Sequence, residues 1–435
     1  MYLKLMSYYL EQQRWHHLSA EKMRQQQVQK FRQLFEYART RSSFYQKIYQ
    51  EAGIEKLEIR TFEDIQKVPV VDKAMMRRYS LQEIVTSPIT PELVEITTSG
   101  STGEPFVVYQ TKLEQYTSHL RVFGLLMELG YRPWHRILML TRLEPDVVLP
   151  VERDLSLLTK LRQIFKLFRR EIISIYTPSK KIVEWTRRYP DARIFWSTPG
   201  IMTILCTYLE EQALQLSFDL VILTSETLQP EQRERFSRCM GGARVVSHYG
   251  LMECPTIGFD SGRDERKEIF GNACLMEVLN IEERGGVLQG EPVLTNLVNR
   301  TMPFIRYNTH DSAVVLNDPL FPCKIIGPIS GRLDDVLQLP NGKQFAHHHA
   351  YALFTDFTEC LQYKFLQDDR GNIILRLRTQ AGVDLAEVRH KALIRWQQRY
   401  ADVPLQIEFV ATMPIDPKSG KFKNIERHPP AVESK

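Results

Sequence analysis

Residues 97–105 read Thr97-Thr98-Ser99-Gly100-Ser101-Thr102-Gly103-Glu104-Pro105, with five hydroxyl side chains and two glycines in nine positions. Glycines let a backbone turn its N–H groups inward, and hydroxyls add donors that rotate to suit, so this composition can cradle an anion such as phosphate. A Ser/Gly-rich hairpin turn has the same composition. It is not a Walker loop, because the Gly-x-x-x-x-Gly-Lys-Ser/Thr spacing is missing and no lysine follows Gly103.

Four other segments hold groups suited to nucleotide chemistry. Ser247-His248-Tyr249-Gly250-Leu251-Met252-Glu253 follows a strand-like run, with an aromatic to stack on a base and a carboxylate able to take one position on Mg²⁺. In Arg306-Tyr307-Asn308-Thr309-His310-Asp311 the aspartate is of the type that holds ribose hydroxyls, and a solvated turn reads the same way. Ser330-Gly331-Arg332-Leu333-Asp334-Asp335 suits a hinge. Asp416-Pro417-Lys418-Ser419-Gly420-Lys421 offers a loop lysine that can neutralise charge developing on a phosphate, or a plain basic tail.

The elements that must position these groups are legible from periodicity. The first eighty residues read as helical, with Val28, Phe31, Leu34, Phe35 and Ala38 at helical spacing, and as support without chemistry. Strand-like runs flank residues 97–105 at Leu93–Ile96 and Phe106–Tyr109, which makes a flap. A helix is expected over 113–129. Strands at 137–141, 192–196, 220–224 and 243–247 then alternate with helices at 182–188, 201–212 and 230–240, the pattern of a mainly parallel α/β sheet whose ligands collect at strand carboxyl ends. A basic amphipathic stretch, Leu157 to Arg170, suits a membrane surface, an acidic partner or a packed helix with a solvated face. From 278 onward short strands and glycine turns suggest a β-rich subdomain. Alternation at Leu361, Tyr363 and Phe365 and at Ile373, Leu375 and Leu377, a helix over 385–400 and a strand over 405–410 make a compact α+β unit. The boundary falls at 331–335.

Taken together and in this order, these segments resemble the adenylate-forming superfamily of acyl-CoA synthetases, adenylation domains and luciferases. Ser43-Phe44-Tyr45, Val68-Pro69-Val70-Val71-Asp72-Lys73 and the order Arg306-Tyr307 resemble its phenylacetate–CoA ligase branch, which also holds capsule-biosynthesis adenylyltransferases. The resemblance implies an α/β fold: a large N-terminal domain (1–330) of layered, mainly parallel sheets with a helical start at 1–80 and a β-rich part at about 278–330, and a small mobile α+β C-terminal domain (331–435). It implies that Thr98, Ser99, Gly100, Ser101, Thr102 and Gly103 grip ATP phosphates, that Tyr249 lies against adenine, that Glu253 binds Mg²⁺ and that Asp311 holds the ribose. Arg332 approaches the ribose–phosphate, Asp334 is the hinge, and Lys421 bridges carboxylate and α-phosphate. The acid is expected near Trp196, Ser197, Thr198, Pro199, His248 and Gly250.

The implied reaction is ATP-dependent activation of a small-molecule carboxylic acid, aryl or otherwise planar. Pyrophosphate leaves, and the acyl group passes to a thiol of CoA or of carrier-protein phosphopantetheine. An adenylyltransferase that leaves AMP on its target and a degenerate nucleotide-binding paralogue are the alternatives. The chain departs from the family pattern at Glu104, where many relatives have lysine, and at Ser225, where glycine is common.

Composition agrees with an enzyme of small anions. The chain has 435 residues, 43% hydrophobic and 25% charged, enough for more than one packed core. A formal charge of +5 does not by itself call for nucleic acid. There is no apolar run of membrane-spanning length, and six cysteines are scattered without Cys-x-x-Cys, so a cytoplasmic protein with unpaired thiols is expected. His347-His348-His349 lack zinc-site spacing, so no metal beyond Mg²⁺ is assigned. Oligomeric state is left open.

Overall fold

The computed structural model describes residues 2–98, 106–141, 169–284, 287–316, 325–332, 337–342, 344–345, 350, 353–354, 357, 359–380, 382–413 and 424–427. By its contacts the chain divides into two units, 1–133 with 246–329 and 134–245 with 330–435.

The first unit opens with helices Tyr2–His16, Ala20–Arg41 and Ser43–Glu51. Phe31, Leu34, Phe35 and Ala38 are fully buried on one face, as their spacing predicts, and they pack with Phe44, Tyr45 and Tyr49. Polar residues set the helix starts. Ser19 accepts from Lys22 N–H, Asp72 from Met75 N–H, and Thr61–Asp64 and Thr111–Glu114 form reciprocal capping boxes. Strands Val94–Thr98 and Phe106–Gln110 pair antiparallel with Thr98 opposite Phe106, so the ladder fixes both ends of the 99–105 segment. A β-rich part follows, in which Cys274–Arg284 and Val287–Asn296 form a long antiparallel pair, with Tyr307–Asn308 and Asp311–Val314 added against the second strand.

The amino-terminal helix is pinned through His16, whose Nδ1 lies 2.8 Å from Glu268 and whose Nε2 lies 3.3 Å from Glu128. These two carboxylates raise the imidazole from its usual 6.5 to about 9. A folded value above the unfolded one means that the stabilisation is complete below about pH 6.5 and disappears as pH rises through 9. Melting temperature is therefore expected to fall between pH 7 and 9.5 more steeply in the native chain than in His16→Gln, as read by thermal denaturation.

In the second unit, strands Arg136–Thr141, Arg170–Ser174, Ala192–Ser197 and Leu220–Thr224 are parallel neighbours. Helices Ser179–Arg187, Pro199–Glu211 and Pro230–Cys239 fall where the alternating pattern predicts them. Arg170, read from sequence as part of a basic helix, instead opens a strand, because Ile172 and Ile173 pair beside Met139 and Leu140. The rest of that stretch, 157–168, lies outside the described residues.

The carboxyl-terminal part of this unit is a four-stranded sheet, with Cys360–Gln367 and Ile373–Thr379 antiparallel, Leu405–Phe409 and Ile425–Arg427 added in parallel at the two sides, and helix Leu385–Tyr400. Phe365, Leu375, Leu377 and Trp396 form its core, as the alternation predicts. Among the described residues, no helix is long and apolar enough to cross a membrane. Cys206, Cys239, Cys254 and Cys274 are buried free thiols and Cys360 is half-buried; Cys323 lies outside the described residues.

Candidate active site

The strand Arg244–Tyr249 runs two residues further than its β-branched stretch suggests. His248 and Tyr249 pair with Phe259 and Gly258, so Tyr249 sits in the ladder rather than in a loop. That placement aims its hydroxyl at Asp311, the first residue of the strand Asp311–Val314, and the O–H donates to Oδ2 at 2.6 Å. Burial, with the Asp311 charge beside it, pushes the phenol well above its ordinary value, so it remains a donor at any working pH.

Glu253 comes four residues after Tyr249 and is 5% exposed. Its carboxylate Oε1 accepts from the Tyr307 hydroxyl at 3.0 Å and lies 3.4 Å from the ammonium of Lys73. Its backbone carbonyl accepts from Asn296 Nδ2 at 2.9 Å. Lys73 Nζ also stands 5.3 Å from the ring centroid of Phe106, the residue that resumes the chain after 99–105. The first unit thus holds two bonded groups, Lys73 with Glu253 and Tyr307 beside Phe106, and Tyr249 with Asp311.

The segment carrying Lys73 is tied down at several points. Val71 pairs with Tyr307 through Val71 N–H to the Arg306 carbonyl (3.0 Å) and Asn308 N–H to the Val71 carbonyl (2.8 Å). Arg306 forks onto Glu277 with two bonds of 2.9 Å and donates from its third nitrogen to the carbonyls of Gln66 and Val68. Tyr45 takes Ile305 N–H and donates to the Pro303 carbonyl. Residues 43–45 and 68–73 therefore build the floor under Tyr307.

Lys73 is a candidate side chain that the sequence reading did not single out, since the first eighty residues read as support. No local signal marked it, because a lysine opening a four-residue helix is unremarkable until Glu253 is seen beside it.

His248 and Gly250 belong to the same unit. His248 is half-buried with its Nε2 3.1 Å from the Pro255 carbonyl; a carbonyl only accepts, so Nε2 carries the proton. Burial lowers its pKa to about 4, which keeps the ring neutral, and it stacks on Phe259 at 4.4 Å. A Cβ on Gly250 would come within 2.7 Å of both this ring and the Pro255 carbonyl, so only glycine fits.

The remaining acid-pocket residues lie in the second unit. Trp196 and Ser197 end a parallel strand, Thr198 caps the helix Pro199–Glu211 by accepting from Ile201 N–H, and Pro199 takes the first helical position. Glu226 accepts from Gly200 N–H at 2.6 Å, placing a carboxylate on the helix's positive end. Just before it, Ser225 has φ of 71°, the left-handed region, which explains why glycine suits this position.

Ser99, Gly100, Ser101, Thr102, Gly103, Glu104, Asp334, His347–His349 and Lys421 lie outside the described residues. So do the side chains of Thr98 and Arg332, whose backbones end the strands Val94–Thr98 and Ile329–Arg332. Among the described residues no group of three His, Cys, Asp or Glu side chains could hold a metal.

The layered sheets, β-rich part and carboxyl-terminal α+β sheet are similar in fold to solved adenylate-forming ligases. Superposed on a crystal structure of 2-hydroxyisobutyryl-CoA ligase in the postadenylation state with an acyl-adenylate, the chain gives a TM-score of 0.73 at 19% identity over 93% of its length and 89% of that chain. Fatty acyl-adenylate ligases from E. coli and L. pneumophila give 0.51 at 15% identity, over 83% of this chain and 73% of theirs. In sequence the chain is phenylacetate–CoA ligase-like. It is 24% identical over 335 residues to phenylacetate–coenzyme A ligase of Thermus thermophilus, covering 74% of this chain and 72% of that one, and 26% identical to the enzyme of Pseudomonas putida, covering 73% and 72%. No family model matches the chain.

Proposed function

We propose that the chain activates a carboxylic acid as its acyl-adenylate, with release of pyrophosphate from ATP, and passes the acyl group to the thiol of CoA. The observation that carries this reading is the Lys73–Glu253–Tyr307 cluster beside Phe106, with Tyr249 bonded to Asp311 in the same unit, in a chain similar to phenylacetate–CoA ligases.

In this reading Asp311 accepts from the ribose hydroxyls, and the Tyr249 ring lies against adenine. Glu253 is suited to Mg²⁺: its two described contacts fall on Oε1, and magnesium is ordinarily held by one or two carboxylates together with substrate phosphates. Bound there, Mg²⁺ would offset the repulsion between a carboxylate and a triphosphate. Lys73 adds a fixed positive charge beside it, and Thr98 to Gly103 supply donors to the β- and γ-phosphates. The acid oxygen attacks the α-phosphorus, the bond to pyrophosphate breaks, and Lys421 bridges the two reacting anions. Arg332 meets the ribose–phosphate. A rotation of 331–435 about Asp334 then exchanges Lys421 for the thiol acceptor at the same carbon. The acid is taken to be aryl or otherwise planar, and His248 with Gly250 in the first unit and Trp196 to Pro199 in the second are tested as separate candidates for contacting it. A carrier-protein thiol is the second acceptor to test beside CoA.

Incubation with ATP, Mg²⁺, CoA and a panel of acids is expected to give thioester and free AMP, separated by chromatography, and Lys421→Ala is expected to lose pyrophosphate release about a hundredfold without a change in melting temperature. A stable AMP conjugate of the acid or of another target would instead identify an adenylyltransferase.

A further inference from the structure

Two non-glycine residues in the 306–311 segment hold a left-handed backbone, Arg306 at φ 47° and His310 at φ 56°. L side chains adopt this region at a cost, and such residues persist where the surroundings fix them. Both send their side chains into the segment that carries Lys73. Arg306 does so through the carbonyls of Gln66 and Val68. The His310 ring donates from Nε2 to Asp72 Oδ2 at 3.1 Å, while the other oxygen of Asp72 caps the Lys73 helix by accepting from Met75 N–H at 2.7 Å.

The His310 backbone N–H is fixed by Asn308 Oδ1 at 2.8 Å, and Nδ1 lies 3.9 Å from Glu291, itself held by Asn280 and Asn308. The next residue is Asp311, the partner of Tyr249. One imidazole therefore connects the turn that presents Asp311 to the cap of the helix that presents Lys73. Burial tends to raise the Asp72 carboxyl, but the bonds from Met75 and His310 outweigh it and hold the group below its ordinary value, so it stays an anionic acceptor.

We propose that His310 is a positioning residue: its left-handed turn lets it grip Asp72 and so hold the Lys73 ammonium against Glu253, in register with Asp311. The proposal rests on the adenylation reading for its consequence in catalysis, but the positioning itself is testable without substrate. An ammonium held 3.4 Å from a buried carboxylate, with 16% of its side chain exposed, is shielded from amine reagents; freed from its cap, it is not.

Three variants separate this role from a structural one. His310→Gly relieves the backbone strain while removing the donor. Asp72→Asn keeps the helix cap through its amide oxygen but turns a nitrogen toward His310. His310→Gln restores a donor. Lys73 labelling by a water-soluble succinimidyl ester, quantified by peptide mass spectrometry, is expected to rise severalfold in His310→Gly and in Asp72→Asn. The double variant should show no further rise, because both remove one contact, and His310→Gln should return toward the native level. The melting temperature of His310→Gly should stay within a few degrees of native.

In the active enzyme the same two variants are expected to lower kcat for acid-dependent pyrophosphate release about tenfold, more than they raise the KM for ATP, as a misplaced charge acts mainly in the transition state. Native labelling in both variants, or rises that simply add in the double variant, would overturn the proposal. Absence of pyrophosphate release from the native chain with every acid overturns the adenylation reading instead, and the labelling still decides the positioning.

Discussion

Lys73→Met is expected to slow acid-dependent pyrophosphate release by about a hundredfold, the size of effect seen when a preorganised donor is removed from developing transition-state charge. The expectation follows from where the ammonium sits. It is 3.4 Å from the Glu253 carboxylate and against the ring of Phe106, next to the segment proposed to wrap the triphosphate. Methionine keeps the stem and its contact with the ring, so what is lost is the charge. Glu253 is not stranded by the change, because Tyr307 still donates to it and Asn296 still holds its backbone. Melting temperature should therefore drop by a few degrees at most. Single-turnover measurement at saturating ATP and Mg²⁺ separates the two roles open to Lys73. A lysine that only screens Glu253 in the folded protein would leave the rate near native.

Arg306→Leu is expected to be the most damaging single change to the first unit. Arg306 and Glu277 are 4% and 3% exposed, and removing one partner of so buried a pair costs about 3–5 kcal/mol because the other charge is left without compensation. The guanidinium also satisfies two carbonyls of the 66–68 segment, so the floor under Tyr307 loosens at the same time. A fall in melting temperature on the order of 10 °C follows. Burial already raises the Glu277 carboxyl above its ordinary value, and without Arg306 it rises further. A folded value above the unfolded one means that the folded state binds the extra proton. The variant should therefore regain stability as pH falls below the raised value and lose it as pH rises. Replacing both residues by leucine should recover much of the loss, since packed apolar groups substitute well for a buried pair. Thermal melts of the two variants at several pH values decide this, and a single variant as stable as the double one would contradict it.

Much of the architecture was written in periodicity. The alternation of Phe365 with Leu375 and Leu377, and the helical spacing of Phe31, Leu34, Phe35 and Ala38, point to core faces because burial on one side enforces the period. Less local features were not legible. Tyr249 belongs to a strand only because Gly258 pairs with it, a partner that no window of sequence reveals. Arg170 looked helical by charge pattern, but its neighbours Ile172 and Ile173 are claimed by a parallel strand partner. The candidate site divides the same way. Glu253, Tyr249 and Asp311 stood out by residue type near strand ends. Lys73 did not, since its meaning depends on Glu253, 180 positions away in the chain. His310 read as part of a solvated turn, and its bond to Asp72 spans 238 positions.

The adenylation claim is tested most directly by ATP–pyrophosphate exchange, which reports reversible formation of an acyl-adenylate without requiring the thiol acceptor. With ATP, Mg²⁺, labelled pyrophosphate and a panel of aryl and aliphatic acids, exchange should appear with at least one acid, depend on that acid, and fall about a hundredfold in Lys73→Met. A folded chain that binds ATP but catalyses no exchange with any acid would contradict the account.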